Sequence, residues 1–406
     1  MNYLQTPIIL PCGAVLSNRL TKSAMTERIS NRDFEPTSAL VRLYELWAET
    51  GAGLLISGNV MIDSKHLESA GNLLFNSEEM IPKLQPLAAA GTSRGNHFWV
   101  QISHSGRQTS RLVNTHPKAP SEVQLHKIGL FGKPKEMSQE DIEEVIAGFR
   151  KAARIAKAAG FTGVQIHSAH GYLLSQFLSP RTNLRQDKWG GSLENRSRLL
   201  LQIIREVRAE VGIDFPVSVK LNSSDFQKGG FSEEDSLQVV RLLEQEGIDL
   251  LEISGGTYEN VVFLVEEEDT RRESTKRREA YFLNFARKVR AISQLPILIT
   301  GGFRSFDFCN QVLEAGEADL IGMARPFITH LEGMEAFLEG KIPVLGIPKI
   351  RTGMKAFEDS AEAGYYAKQL IRIAVGKGLK KNMGPMEAAF FIPLHEFRKA
   401  LEKKSR

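Results

Sequence analysis

The chain has 406 residues, 42% hydrophobic and 25% charged, enough apolar material for a large buried core. A formal charge of +4 is too small on this length to point to nucleic acid, and two cysteines, Cys12 and Cys309, exclude a disulfide framework or a four-thiolate zinc or iron-sulfur site built within the chain. No window approaches the apolar length of a membrane span, and Met1-Asn2-Tyr3-Leu4 does not begin a basic-then-apolar leader, so a cytoplasmic protein with no membrane partner is expected.

Pro7-Ile8-Ile9-Leu10 and Ala14-Val15-Leu16 flank Pro11-Cys12-Gly13 and read as a short hairpin. Strand-like and helix-like stretches then alternate. Strands are expected over 19–25, 53–58, 98–102, 163–167, 217–221, 250–253, 297–300 and 319–323. Helices are expected over 38–49, 78–90, 138–160, 194–211, 232–247, 279–292 and 307–315, with a long polar loop ahead of Ser138. The strands are continuous apolar runs, as burial on both faces requires, and eight of them separated by helices argue for a closed (β/α)8 TIM barrel. Residues 1–340 are assigned to this α/β barrel with its N-terminal hairpin. Residues 341–406 are assigned to a C-terminal helical extension, with helices over 362–375 and 393–403, packing on the barrel or on a partner subunit of a homo-oligomer. Its Tyr365, Tyr366, Phe390 and Phe391 are read as packing residues, not ligand contacts.

Val164-Gln165-Ile166-His167-Ser168-Ala169-His170-Gly171-Tyr172 carries a branched apolar strand straight into two imidazoles and a phenol. At the C-terminal mouth of a parallel barrel, His167 and His170 can converge on one oxygen and donate two hydrogen bonds to charge developing there, and Tyr172 can supply a proton next to it. Taken singly, each is equally well a satisfied core residue. A His-x-x-His metal site is a further reading that lacks a third ligand nearby.

Strand seven runs into Gly301-Gly302-Phe303 and strand eight into Gly322-Met323-Ala324-Arg325-Pro326. Small residues there let backbone amides approach a phosphate, and Arg325 can add a charge-assisted contact. Thr26, Gln101 and Lys220 face the same mouth from strands one, three and five, a hydroxyl, an amide and a cation suited to the edge of an isoalloxazine ring. FMN fits this set.

These segments resemble the old yellow enzyme family of NADH:flavin oxidoreductases. The resemblance is carried by the run from Asn18-Arg19-Leu20 to Ala24-Met25-Thr26, by Gln101-Ile102-Ser103-His104-Ser105-Gly106-Arg107, by His167 through Pro180, by Arg185 and by Gly190-Gly191-Ser192-Leu193-Glu194-Asn195-Arg196, over residues of about 5 to 335. It implies noncovalent FMN contacted by Ala24, Met25, Thr26, Gly58, Gln101, Lys220, Gly301, Gly302, Ala324 and Arg325. NADH or NADPH would be the electron donor, the acceptor a small molecule, with no metal and no iron-sulfur cluster. It further implies that His167 and His170 hold the carbonyl or nitro oxygen of an activated alkene while Tyr172 protonates its α-carbon. Tyr172 as an orienting wall, with water as proton source, stays open.

Three departures stand out. Thr26 replaces the cysteine of one family branch. Lys220 stands where many relatives carry arginine, and a point charge does not reproduce a bidentate fork. Arg28 lies near where some relatives place an active-site tyrosine. Two other functions compete: a Schiff-base aldolase using Lys220, and a flavin-dependent reductase of RNA pyrimidines using the basic run from Arg271 to Arg278, whose bland reading is a solvated loop after Glu266-Glu267-Glu268-Asp269.

Overall fold

Eight parallel strands close on themselves: β1 (Leu20–Lys22), β2 (Leu54–Met61), β3 (His97–Ser103), β4 (Gly163–Ser168), β5 (Val217–Asn222), β6 (Leu250–Ser254), β7 (Ile297–Thr300) and β8 (Leu320–Met323). Each pairs with its sequence neighbour, and β8 pairs with β1 through Ile321↔Leu20, which closes the barrel. The structure is a computed structural model describing residues 1–126, 129–255, 271–348, 350, 352 and 355–404. Among these, no helix is long and apolar enough to cross a membrane.

The expected strands all form, shifted by a few residues at their ends. The first is shorter than expected, because after Lys22 only Ser23 keeps a ladder bond, its N–H donating to Met323 O at 2.8 Å. Strand β2 is longer, running past a register shift between Ile56 and Asn59.

Alternation along the strands divides the core. Val100, Ile102, Val164, Ile166, Val219, Ile253 and Ile299 face outward into the layer against the helices. Leu54, Ile56, Trp99, Leu250, Leu298 and Leu320 face inward and form a separate apolar cluster with Leu10 and Leu16. Those two leucines come from the N-terminal hairpin, Ile8–Ile9 paired with Val15–Leu16, which stoppers the bottom of the barrel.

The outer helices are α1 (Ser38–Ala48), α2 (Ile81–Gly91), α3 (Gln139–Ala158), α4 (Leu173–Leu178), α5 (Leu193–Val211), α6 (Glu233–Gln245), α7 (Arg271–Arg290) and α8 (Phe306–Glu314). Ser138 and Asp141 form a capping box at the start of α3. The basic run from Arg271 joins α7 rather than forming a loop, and the acidic residues ahead of it lie outside the described residues. Within the polar stretch before Ser138, Lys118–Ala119 pairs with Lys135–Glu136, and Lys118 Nζ reaches Asp141 at 2.6 Å.

After β8 come two short helices, α9 (Pro326–Thr329) and α10 (Met334–Leu338), then the long pair α11 (Lys355–Ala374) and α12 (Pro385–Lys404). The sequence places a helix start at Pro393, but the helix begins at Pro385, where a proline costs nothing because the first N–H has no partner to lose; Pro393 sits inside. Helices α11 and α12 pack on each other and on the barrel. His395 Nε2 lies 2.8 Å from Arg28 O, and Lys399 Nζ donates to Ser30 O at 3.1 Å.

Candidate active site

Above the apolar cluster the inward face changes character. Gln101 Nε2 donates to Gln165 Oε1 at 2.5 Å, and Gln165 Nε2 to Glu252 Oε2 at 2.8 Å. Glu252, fully buried, also accepts from Lys220 Nζ at 2.9 Å and from Thr300 Oγ1 at 2.7 Å, and Thr300 meets Ser23 Oγ at 2.8 Å. A buried carboxylate is tolerated only when paired and hydrogen-bonded, and this one has three partners. Nearby, Lys22 donates to Ile56 O at 2.7 Å and lies 4.0 Å from the Trp47 ring centroid; burial lowers its ammonium to about 8.

The next layer holds the imidazoles. His167 is the last residue but one of β4 and pairs in register with Lys220, while His170 follows in a turn with φ +59, its N–H on Asn222 Oδ1 at 3.1 Å. Their rings are perpendicular, 5.2 Å apart, and Tyr172 stands edge-on to His167 at 4.9 Å. Burial holds both imidazoles well below their usual value, reinforced for His167 by His170 and Lys220 and for His170 by Lys220. Both are therefore neutral at pH 7. The Ala169 amide donates to His167 Nδ1 at 3.3 Å, which puts the ring proton on Nε2 and makes that nitrogen a donor. His170 Nε2 is 2.6 Å from Ser254 Oγ.

A cavity of about 400 Å³ opens at this mouth. Ala24, Met25, Thr26, Lys220, Gly301, Gly302, Ala324 and Arg325 line it, as does His170. Gly58, Gln101, His167 and Tyr172 are not in its wall. Gly58 instead sits at the β2 register shift, its N–H on Glu27 Oε1 at 2.9 Å, where a Cβ would fall 2.3 Å from Met25 O. Gln101 lies one layer lower, tied to Gln165. The expectation that both contact a cofactor is therefore not matched by the cavity wall.

Thr26 lines the cavity, but its hydroxyl lies 2.8 Å from Glu68 Oε2, so its one proton goes to that carboxylate. Donation to a cofactor carbonyl would require the hydroxyl to leave Glu68. Arg28, at φ +64, also lines the cavity and is clamped by Glu68 at 3.3 Å and Glu396 of α12 at 2.6 Å. Tyr366, read from sequence as a packing residue, forms part of the wall along with Ala363, Ala367 and Leu370 of α11.

The wall suits FMN. Gly301 and Gly302 have φ of +118 and +85, open only to glycine without strain, and a Cβ on Gly322 would strike Thr300 Oγ1 at 2.2 Å. Main chain is thus open to the cavity at that end, with Arg304 and Arg325 beside it supplying positive charge. Lys220 and His170 supply cation and imidazole at the other end.

Outside this cavity, Asp63, His66 and His104 are the group with metal-ligand proximity among the described residues. Backbone amides of Lys118 and Gly106 donate to His66 Nε2 at 2.9 Å and to His104 Nδ1 at 3.0 Å. Each ring proton is thereby placed on the other nitrogen, and a cation bound there would need an imidazolate.

The motif Gly190 to Arg196 is scaffold. Asn195 Nδ2 donates to Gly190 O at 3.1 Å and Arg196 pairs with Asp235 at 3.2 Å, while Arg185 ties the preceding loop to Met137 O at 2.7 Å.

A profile of the NADH:flavin oxidoreductase / NADH oxidase family matches residues 4–337. The chain is 34% identical over 390 residues to the NADH-dependent flavin oxidoreductase iliE of Neonectria sp., covering 90% of this chain but 51% of that protein. It is 37% identical over 348 residues to the NADH-dependent flavin oxidoreductase nadA of Aspergillus parasiticus, covering 82% and 77%. The chain thus spans about half the length of the first relative and about three quarters of the second. Among solved structures, the old yellow enzyme homologue of Zymomonas mobilis superposes with a TM-score of 0.72 at 25% identity, over 85% of this chain and 94% of that one.

Proposed function

Because the chain belongs to the NADH:flavin oxidoreductase / NADH oxidase family, we propose that it is an FMN-dependent NAD(P)H oxidoreductase of the ene-reductase type. Held noncovalently in this cavity, FMN would supply hydride transfer from the nicotinamide to the β-carbon of an activated alkene, or to a quinone or nitro acceptor. The observation that carries this reading is a pair of neutral, buried imidazoles, one of them in the wall of a cavity whose far end is bordered by Gly301, Gly302, Ala324 and Arg325.

In this reading His167 and His170 donate hydrogen bonds to the acceptor's oxygen. Neutral donors suit that task, since charge develops on the oxygen only as hydride arrives, and a low-dielectric site strengthens their effect at that moment. Tyr172, packed on His167, delivers the proton to the α-carbon, so one hydride and one proton saturate the double bond. Lys220 presents its charge to the ring edge from a fixed position, because Glu252 holds it from below. Ala24, Met25, Gly301, Gly302, Ala324 and Arg325 border the cofactor.

The aldolase alternative loses support from the same ion pair. To attack a carbonyl, the Lys220 ammonium would first have to give up a proton and leave Glu252, a fully buried carboxylate, without its cation. The RNA alternative rests on side chains from 271 to 278, which lie outside the described side chains.

The test is an anaerobic titration of the purified protein with NADH or NADPH, followed by 2-cyclohexenone. Flavin absorbance should bleach with the nicotinamide and return with the enone. Bleaching that the enone does not reverse would remove the alkene from the proposal, and a flavin inert to both nicotinamides would remove the donor.

A further inference from the structure

Tyr366 is 7% exposed and lines the cavity, yet its hydroxyl has no hydrogen-bond partner among the described residues. A buried hydroxyl left unpaired is destabilising, and native structures keep one chiefly where a ligand or water completes it. The surroundings say what kind of ligand. The Arg325 guanidinium lies 5.3 Å from the Tyr366 ring centroid, and Arg304 lines the same end of the cavity beside Gly301 and Gly302. One acidic side chain already answers this charge: Glu362, one turn before Tyr366 on α11, accepts from Arg325 Nη1 at 2.6 Å. Two arginines, a phenol donor and two glycines with positive φ are the chemistry of a phosphate site, with a carboxylate in contact with one arginine.

Resting on the FMN reading above, we propose that α11 completes the phosphate end of the cofactor site. Tyr366 donates a hydrogen bond to the FMN phosphate, and Glu362 is the anion that Arg325 releases when the phosphate arrives. Both residues lie beyond the segment 4–337 that matches the family profile, so this grip belongs to the extension of this chain. Burial pushes the phenol's pKa up, which keeps the hydroxyl protonated as a donor.

FMN and riboflavin differ only in the phosphate, which makes the pair a direct probe. The full-length chain, freed of flavin, is titrated with each while the quenching of flavin fluorescence is followed. Tyr366→Phe keeps the ring and its packing and removes only the hydroxyl; it should weaken FMN binding roughly tenfold and leave riboflavin unchanged. Glu362→Gln should act in the opposite direction, tightening FMN a few-fold by removing the competing charge, again without effect on riboflavin. Tyr366→Phe that weakens both flavins equally, or neither, overturns the inference, as does a wild-type chain binding riboflavin as tightly as FMN. A wild-type chain that binds neither flavin overturns the FMN reading itself and is recognised before any variant is made.

Discussion

The lower and upper halves of the barrel interior are built from the same strands, two residues apart. Leu250 and Glu252 lie on one face of β6, Trp99 and Gln101 on one face of β3, Leu298 and Thr300 on one face of β7. The lower member of each pair joins an apolar cluster sealed by Leu10 and Leu16 of the hairpin. The upper member joins a hydrogen-bonded chain running from Gln101 through Gln165 and Glu252 to Lys220, Thr300 and Ser23. The lower cluster needs only volume and apolarity. The upper layer requires that every member keep its partner, since an unpaired buried polar group costs more than the pair contributes. The chain concentrates its risk at the end where parallel barrels carry their chemistry.

Breaking the upper layer should therefore be as costly as breaking the lower, and should also disturb the site. Glu252→Leu strands the Lys220 ammonium together with Gln165 and Thr300, and should lower unfolding stability by about 3–5 kcal/mol in urea, with loss of flavin. Trp99→Ala should cost about 3–5 kcal/mol by leaving a cavity, yet leave both half-reactions near wild type in the protein that remains folded.

The buried histidines also carry a pH signature. His104, His167 and His170 all have pKa values held well below 6.5 by burial, so below about pH 6.5 the unfolded chain binds protons that the native state does not. Stability contributed by these neutral rings is complete above pH 6.5 and is lost as pH falls below it, by up to about 4 kcal/mol per pH unit for three such groups. Urea midpoints measured from pH 7.5 down to 5.5 should fall accordingly; a flat profile would mean the rings are charged or exposed. For the same reason, enone reduction should show no histidine ionisation between pH 6 and 8.

His167→Ala combined with His170→Ala should leave the protein yellow and reducible by NAD(P)H while slowing reoxidation by enone ~10²-fold or more. Equal loss of flavin and of both half-reactions would make the pair structural. The smallest effect should come from Glu396→Gln, which weakens the clamp on Arg28: about 1–2 kcal/mol of stability and a changed KM for the acceptor, because Arg28 lines the cavity.

How far the sequence reaches follows from which signals are local. The strands are legible because burial on both faces makes each a continuous apolar run, and capping residues such as Ser138 mark the helix starts. The glycines and Ala324-Arg325 of the last two loops are legible because they follow strand ends directly. Gln101 faces inward as expected but one layer too low to border the cavity, since strand tilt and stagger set depth and neither is written locally. Gly58 is expected at the cofactor through the family resemblance, but in the structure Glu27 and Met25 lie against it. Glu252 could have been found: a carboxylate inside an otherwise apolar buried strand demands a partner, and the inward lysine of the neighbouring strand is the natural one. Tyr366 and the Glu396 clamp could not, because each meets its partners only once the extension has folded back over the mouth; Glu396 lies 368 positions from Arg28.

The account stands most directly on whether the upper interior holds a flavin. The deciding measurement is the visible spectrum of the purified full-length protein, with the flavin released by heat and identified by mass. The account predicts a yellow protein that gives up about one FMN per chain, none of it covalently attached. A colourless chain that cannot be reconstituted with FMN would contradict it and return attention to Lys220 as a nucleophile.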